Sequence, residues 1–314
     1  MRRKEERTMR IAVLGAGAMG SLYGGYLSRK HDVILVDVNQ AVVDAINANG
    51  VTIHEPDGSV TVCHPLGAVS TAGMAPVDLI IVFVKAMFSE SALSNNRGLI
   101  GPDTCIMTLQ NGSGHEDTLT KFVDRAHVVI GTTQHNSAVV SPGEIRHGGS
   151  GITHVGCIEG DVSRLQYIAD AFCESGLEAD CSADVQKLIW GKMFTNVSAS
   201  VLTGVLQAPL GFIASDKNAW ALCETLVREA VAVAAGEGLE FDAEEKVAEV
   251  RRVCENSPAG ITSICADLSK GRRTEVDTIS GSVVRASRRN GVPAPTHAAM
   301  VALVHAMEAK ASQS

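Results

Sequence analysis

Two groups of residues have types and spacings suited to chemistry. The first is Gly15-Ala16-Gly17-Ala18-Met19-Gly20, which follows the apolar run Arg10–Leu14 directly and opens a helical pattern. In that context a Gly-x-Gly-x-x-Gly sequence points to a dinucleotide. The first glycine makes the tight turn, the second lets the backbone approach a pyrophosphate, and the third lets helix and strand pack closely. The helix start adds N–H groups that the helix itself does not use, and the positive end of its dipole. Asp37 stands 20 positions after Gly17, at the end of the second apolar run. A carboxylate there accepts hydrogen bonds from the adenosine ribose and repels a 2′-phosphate, which favours NAD(H) over NADP(H). The same residue also suits the turn into the next helix, and the two uses are compatible.

The second group is Lys192 and Asn196. Four apart in a helical stretch, they are neighbours on one face, with Trp190, Phe194, Val197 and Val201 forming an apolar stripe on the other side. Reducing a ketone leaves negative charge on its oxygen, so such a site needs a proton donor there. An ammonium and an amide N–H aimed at one carbonyl oxygen polarise it and stabilise the developing alkoxide. The spacing alone leaves a second reading open, the solvated face of an amphipathic helix. Elsewhere, Glu275 follows Thr274 as acids at helix starts often do, and Ser263 is of the type that caps helices. Asn111-Gly112 is a frequent turn pair, Lys85 closes a strand, and Arg272-Arg273 reads as a solvated pair between helices. Ten histidines are spread singly, none in a metal or triad spacing. Eight cysteines contain no Cys-x-x-Cys pair, so they read as reduced thiols of a cytoplasmic chain and not as a zinc site.

The elements that must position these residues alternate in the first half. Arg10–Leu14, Val33–Asp37, Leu79–Val84, Cys105–Leu109 and His127–Gly131 read as strands, with helices over Met19–Lys30 and Gln40–Asn49 between the first three. That alternation implies a parallel sheet covered on both faces. Val51–His54 and Val60–Cys63 flank Glu55-Pro56-Asp57-Gly58 and read as an inserted hairpin. Ser141-Pro142-Gly143 turns the chain, and Ile152–Val155 reads as one more strand. From about Ala183 the stretches 183–206, 217–238, 242–254 and 294–310 have helical periodicity. The expected architecture is α/β: a Rossmann-type parallel-sheet domain over 9–182, then a mainly helical domain over 183–314 that carries the catalytic residues.

Composition narrows the partners. In 314 residues, 45% hydrophobic and 20% charged is ordinary globular usage, which excludes disorder as the main state. A net charge of −8 argues against nucleic acid as partner. No apolar run reaches the roughly 18 residues that span a bilayer, so no membrane span is expected. Met1–Arg10 is basic but lacks the apolar region of a secretory signal, and the residues before Met9 read as an extension without structural role.

With these elements placed, the chain resembles the ketopantoate reductase (2-dehydropantoate 2-reductase) family from Met9 to about Met307. The resemblance rests on the loop Gly15–Gly20, Val82-Phe83-Val84-Lys85, Leu109-Gln110-Asn111-Gly112, Trp190-Gly191-Lys192-Met193-Phe194-Thr195-Asn196, and Ser263 through Asp267 to Arg273-Thr274-Glu275-Val276-Asp277. The last two segments are the specific ones. The resemblance implies an enzyme that reduces a 2-oxo acid by hydride from NAD(P)H, ketopantoate first of all, with the substrate in a cleft between two domains. It implies Lys192 as general acid, Glu275 as its acidic partner, and Asn196 and Ser263 as substrate contacts. Lys85 and Asn111 match positions near the nicotinamide and the substrate. Helical second domains of this kind often pair, so a homodimer is expected.

Three departures from the family pattern bear on specificity. Ser200 begins Ser200-Val201-Leu202-Thr203 where the family has Asn-Pro-Leu-Thr, so a substrate-side amide becomes a hydroxyl. Gly260 stands where the family often has another asparagine, and both changes imply a changed fit for the 2-oxo acid. Asp37 is the third, since NADPH is the family's usual reductant. The alternatives are a paralogue acting on another small or branched 2-oxo acid, a lysine-dependent 3-hydroxyacid dehydrogenase, or a non-catalytic NAD(H)-binding redox sensor. The Thr274-to-Asp277 segment speaks against the second, and the presence of both Lys192 and Glu275 against the third.

Overall fold

The computed structural model describes residues 8–313; the leading residues 1–7, read above as part of an extension, lie outside the described residues. The described residues form two compact units, one of residues 8–110 and 115–186, the other of 111–114 and 187–313. The excursion Asn111–Gly114 into the second unit is a feature the sequence pattern did not disclose.

Among its described residues the first unit holds twelve strands: β1 (Arg10–Leu14), β2 (Asp32–Val36), β3 (Val51–His54), β4 (Val60–Cys63), β5 (Leu66–Ala68), β6 (Leu79–Val82), β7 (Cys105–Thr108), β8 (Val128–Thr133), β9 (Asn136–Ser141), β10 (Glu144–Gly149), β11 (Thr153–Cys157) and β12 (Ala179–Cys181). Eight form one sheet in the order β12-β11-β8-β7-β6-β1-β2-β5. Every pair is parallel, as expected, except β8 with β11, whose antiparallel pairing makes the sheet mixed toward that edge. Central strands β1, β6 and β7 are apolar on both faces and almost wholly buried, as a doubly covered sheet requires.

The expected helices are α1 (Ala18–Leu27) and α2 (Gln40–Asn49). Tyr23 of α1 is fully buried, and its hydroxyl pairs with the hydroxyls of Thr133 at 2.8 Å and Thr153 at 2.6 Å. Burial raises its pKa to about 12, which keeps the phenol neutral inside the core. The β3–β4 hairpin is present, but it belongs to a second sheet of order β4-β3-β10-β9. There β10 pairs parallel to β3 and antiparallel to β9.

The second unit is built of helices around Lys217–Gly236. Its Cys223, Leu226, Val227, Ala230, Val233 and Ala234 are inaccessible to solvent, a helical stripe buried by the helices Leu210–Ser215, Ala243–Asn256, Ser280–Asn290 and Pro295–Ala311. Each buried Leu or Val contributes roughly 1.5–3 kcal/mol. Side-chain caps set two of the starts: Asp216 accepts from Asn218 and Ala219 N–H, and Asp242 accepts from Glu245 N–H. Among the described residues no helix is long and apolar enough to cross a membrane.

Candidate active site

In the first unit the chain leaves β1 at Gly15, whose φ of +100° is open to glycine at little cost. A Cβ there would lie 2.8 Å from Val84 N, so the loop also presses against the residues after β6. At Gly20 a Cβ would stand 1.8 Å from the Gly15 carbonyl oxygen, an impossible contact. Gly17 differs. It is the N-cap of α1 with φ of −71°, and nothing lies within 4 Å of where its Cβ would be. Neither torsion nor protein packing calls for glycine at that position, so the room in front of it suits a ligand. These residues therefore fit a dinucleotide pyrophosphate, with the first-turn N–H groups of α1 as donors.

Asp37 lies one residue beyond β2 and is half-buried. Its Oδ2 accepts from Ala16 N–H at 2.8 Å, and its Oδ1 accepts from Asn39 N–H at 2.9 Å. The carboxylate thus braces the glycine loop and the turn into α2 together. Each oxygen retains a second lone pair, so both uses leave acceptors for ribose hydroxyls.

Lys85 follows β6 and precedes the short 3₁₀ turn Ala86–Phe88. Gln110 fixes this segment: it donates to the Val84 carbonyl and to Ser89 Oγ (3.0 Å) and accepts from Thr108 Oγ1 at 2.8 Å. Its side chain ties the end of β7 to the residue before Lys85. Gln110 was seen in the sequence only as part of a motif, and nothing in the spacing indicated this role.

In the second unit the stretch 183–206 is not one regular helix. Helix Val185–Thr195 passes into a π-helical turn, Asn196–Ser200, before Val201–Leu206 resumes α geometry. Such turns widen the helix locally and occur often at functional sites. Trp190, Phe194, Val197 and Val201 are buried, so the apolar stripe is present, while Lys192 is exposed and Asn196 intermediate. Lys192 keeps accessible surface, yet dense protein around it displaces enough water to lower its ammonium pKa from the usual lysine range.

Hydrogen bonds join three other segments to this turn. The Ser200 carbonyl accepts from Thr203 Oγ1 at 2.8 Å and Thr262 Oγ1 at 3.3 Å, and the Val197 carbonyl accepts from Ser280 Oγ at 3.5 Å. Ser200 itself is buried. Ser263 is the exposed first residue of helix Ser263–Leu268, but its neighbour Thr262 is the cap, accepting from Cys265 N–H. The capping reading of Ser263 therefore gives way to Thr262. Gly260 is held by packing: a Cβ would lie 2.9 Å from the Ser257 carbonyl oxygen and 3.0 Å from Leu210 Cδ1. Local crowding accounts for this glycine, where the sequence suggested only a lost substrate contact.

Glu275 is partly buried, in the irregular run before helix Ser280–Asn290. Its carbonyl accepts from the N–H groups of Thr278 and Ile279, both at 3.1 Å, so it opens a turn and not a regular helix. Asn111-Gly112 packs on the same turn: Ser113 N–H donates to the Thr278 carbonyl at 3.0 Å. Gly112 has φ of +100°, and a Cβ there would lie 1.9 Å from that carbonyl oxygen. The structure thus joins the turn after Asn111 to Thr278, in the turn that the Glu275 carbonyl closes, and joins Ser280 to Val197 in the π turn that begins at Asn196. Arg272 forms an ion pair with Asp267 at 2.9 Å and stays exposed, as a solvated residue does.

The histidines are less solitary than their spacing suggests. His147 Nδ1 lies 2.9 Å from Glu55 Oε2, and its Nε2 lies 3.1 Å from His135 Nδ1, in a buried row. Burial, and secondarily His147, lowers the His135 pKa. The row joins residues after β3, before β9 and within β10, which only the second sheet brings together. Among the described residues no three His, Cys, Asp or Glu side chains gather as a metal would need, and all eight cysteines are free thiols.

Comparison with known proteins covers both units. The family model for ketopantoate reductase PanE/ApbA matches residues 11–160, and its C-terminal counterpart matches residues 184–308. The 2-dehydropantoate 2-reductase of Halobacterium salinarum is 31% identical over 298 residues, covering 94% of this chain and 98% of the relative. That of Lactococcus lactis subsp. lactis is 32% identical over 306 residues, covering 96% and 98%. Among solved structures, a ternary D-mandelate dehydrogenase with NADH and anilino(oxo)acetate superposes with a TM-score of 0.89 at 31% identity, covering 97% of this chain and 100% of that one. With family models matched in both units and relatives of 31–32% identity matched along nearly its whole length, the chain belongs to the ketopantoate reductase family.

Proposed function

We propose that this NAD(P)H-dependent 2-oxo acid reductase converts ketopantoate to pantoate and takes its hydride from NADH. The observation that carries the proposal is Lys192, whose ammonium pKa is lowered by the protein around it and which stands one turn before Asn196. A proton donor works best when its pKa approaches the operating pH, and desolvation moves lysine in that direction.

Lys192 donates a hydrogen bond to the ketone oxygen and then its proton as the oxygen becomes a hydroxyl. Asn196 supplies a second N–H to the same oxygen, so charge developing there is met by fixed donors. Glu275 holds the ammonium in place, Ser200 and Ser263 contact the substrate, and the Ser263 hydroxyl takes its carboxylate. Gly15, Ala16, Gly17, Ala18, Met19 and Gly20 hold the pyrophosphate, Asp37 the adenosine ribose, and Lys85 with Asn111 the nicotinamide end. When bound, the reduced nicotinamide supplies the hydride that the oxo carbon accepts. Asp37 favours NADH because a 2′-phosphate would stand against its carboxylate. The reading further takes the protein as a cytoplasmic homodimer with no nucleic-acid partner. Sedimentation at the mass of one chain would refute the dimer.

A second reading is reduction of a bulkier 2-oxo acid. It is favoured by Ser200 in place of an amide and by the likeness to a D-mandelate dehydrogenase solved with NADH. Steady-state oxidation of NADH and of NADPH with ketopantoate and with an aryl 2-oxo acid separates the two. A higher kcat/KM for ketopantoate supports the first reading. A higher value for the aryl acid replaces it with the second.

A further inference from the structure

We infer that His305 and Glu308, on the C-terminal helix Pro295–Ala311, are positioning residues for Glu275 and set its carboxylate by fixing the residues on both sides of it. The inference rests on the reading of Glu275 as the acidic partner of Lys192. Glu275 lies between the helices Ser263–Leu268 and Ser280–Asn290, where no regular ladder orders the backbone. Its neighbours are held from another element instead. On one side, buried Thr274 donates both its N–H and its hydroxyl to Glu308 Oε1, each at 2.7 Å. On the other, Asp277 Oδ1 lies 2.9 Å from His305 Nε2. The ring's Nδ1 lies 3.0 Å from Glu308 Oε2, which closes the circuit.

His305 and Glu308 are three apart on one helix and therefore share a face. Both ring nitrogens of His305 face carboxylates, Glu308 from its own helix and Asp277 from the Glu275 segment. Only the imidazolium donates to both. The same two carboxylates raise the His305 pKa, against the opposing effect of burial. The Glu308 side chain is 9% exposed, so its accepted hydrogen bonds are charge-assisted and partly shielded from water. Arg285 Nη1 adds a bond to the Asp277 carbonyl at 2.6 Å. A chain held this firmly at positions 274 and 277 has an orientation to transmit to position 275.

The test uses the full enzyme and the variants Glu275→Gln, His305→Gln, Glu308→Gln, Thr274→Ser and Thr274→Val, with the double variant E275Q/H305Q. Loosening a reacting group's position lowers kcat by about tenfold to a hundredfold. That loss is expected in H305Q, E308Q and T274V, with NADH affinity unchanged, whereas T274S keeps the hydroxyl and the wild-type kcat. In the E275Q background the further change H305Q is expected to cost nothing, because the group being positioned is gone. An additive loss in the double variant, or a wild-type kcat in H305Q and E308Q beside a lowered one in E275Q, overturns the positioning role alone. A wild-type kcat in E275Q overturns the reading of Glu275 itself and the inference with it.

Discussion

Substituting alanine at Gly17 and at Gly20 separates what the glycine loop does for a ligand from what it does for the fold. At Gly17 the added methyl meets nothing within 4 Å, and φ of −71° suits alanine. Two small effects oppose one another there. Alanine stiffens the unfolded chain, which stabilises by about 0.4–1 kcal/mol, and it is a poorer N-cap than glycine by about as much. The melting temperature is expected to stay within about 2 °C, since 1 kcal/mol corresponds to roughly 2–4 °C in a chain of this size or somewhat smaller. A methyl in the space a pyrophosphate needs carries an overpacking cost of about 1–3 kcal/mol. The dissociation constant for NADH then rises roughly fivefold to 150-fold.

At Gly20 the order reverses. The methyl carbon would stand 1.8 Å from the Gly15 carbonyl oxygen, so α1 must move away from the loop after β1. The cost is about 3 kcal/mol or more, and the melting temperature falls by roughly 6–12 °C. Calorimetric melting and titration of NADH into each variant supply both numbers. Wild-type NADH affinity in Gly17→Ala would refute the assignment of that open space to the pyrophosphate. A wild-type melting temperature in Gly20→Ala would refute the packing argument.

Three more expectations follow from single side chains. Asp37→Asn removes the charge opposed to a 2′-phosphate while keeping an acceptor for Ala16, so the ratio of NADPH to NADH affinity should rise about tenfold or more; an unchanged ratio in paired titrations would count against the role given to Asp37. Lys192 acts in its protonated form, and the protein packed around it lowers its pKa, so kcat/KM should fall as pH rises through a value below the usual lysine range; a pH–rate profile that is flat to the lysine range, or one kept intact in Lys192→Ala, would exclude it as the acid. His305 has a raised folded pKa, so its stabilisation is complete below its unfolded value and is lost as pH rises through the folded one. His305→Gln should flatten the melting temperature over that window, and an equally steep dependence in the variant would contradict the circuit with Asp277 and Glu308.

What the sequence disclosed was local. The run from β1 through Gly15–Gly20 to Asp37 is contiguous, and each step has its own signal in periodicity or residue type. The β3–β4 hairpin was readable for the same reason, since Asp57-Gly58 marks its turn. The second sheet was not readable. Its strand β9 is mostly exposed and carries no clean alternation, and β10 pairs with β3 some 90 residues away. The site divides in the same way. Lys192 and Asn196 share one helix, so their spacing was visible, but the π turn that starts at Asn196 depends on neighbours such as Thr262 and Ser280. Glu308 and His305 lie more than 25 positions from the turn they hold, and no spacing rule links them to Glu275.

The central claim is that Lys192 delivers the proton when a bound 2-oxo acid is reduced. The most direct measurement is a single turnover of ketopantoate by the NADH-loaded enzyme, wild type beside Lys192→Ala, followed by the loss of nicotinamide absorbance. General acid catalysis typically contributes about 10²–10⁴-fold, so the variant should reduce ketopantoate slower by that factor while binding NADH as the wild type does. Equal rates in the two proteins would contradict the claim.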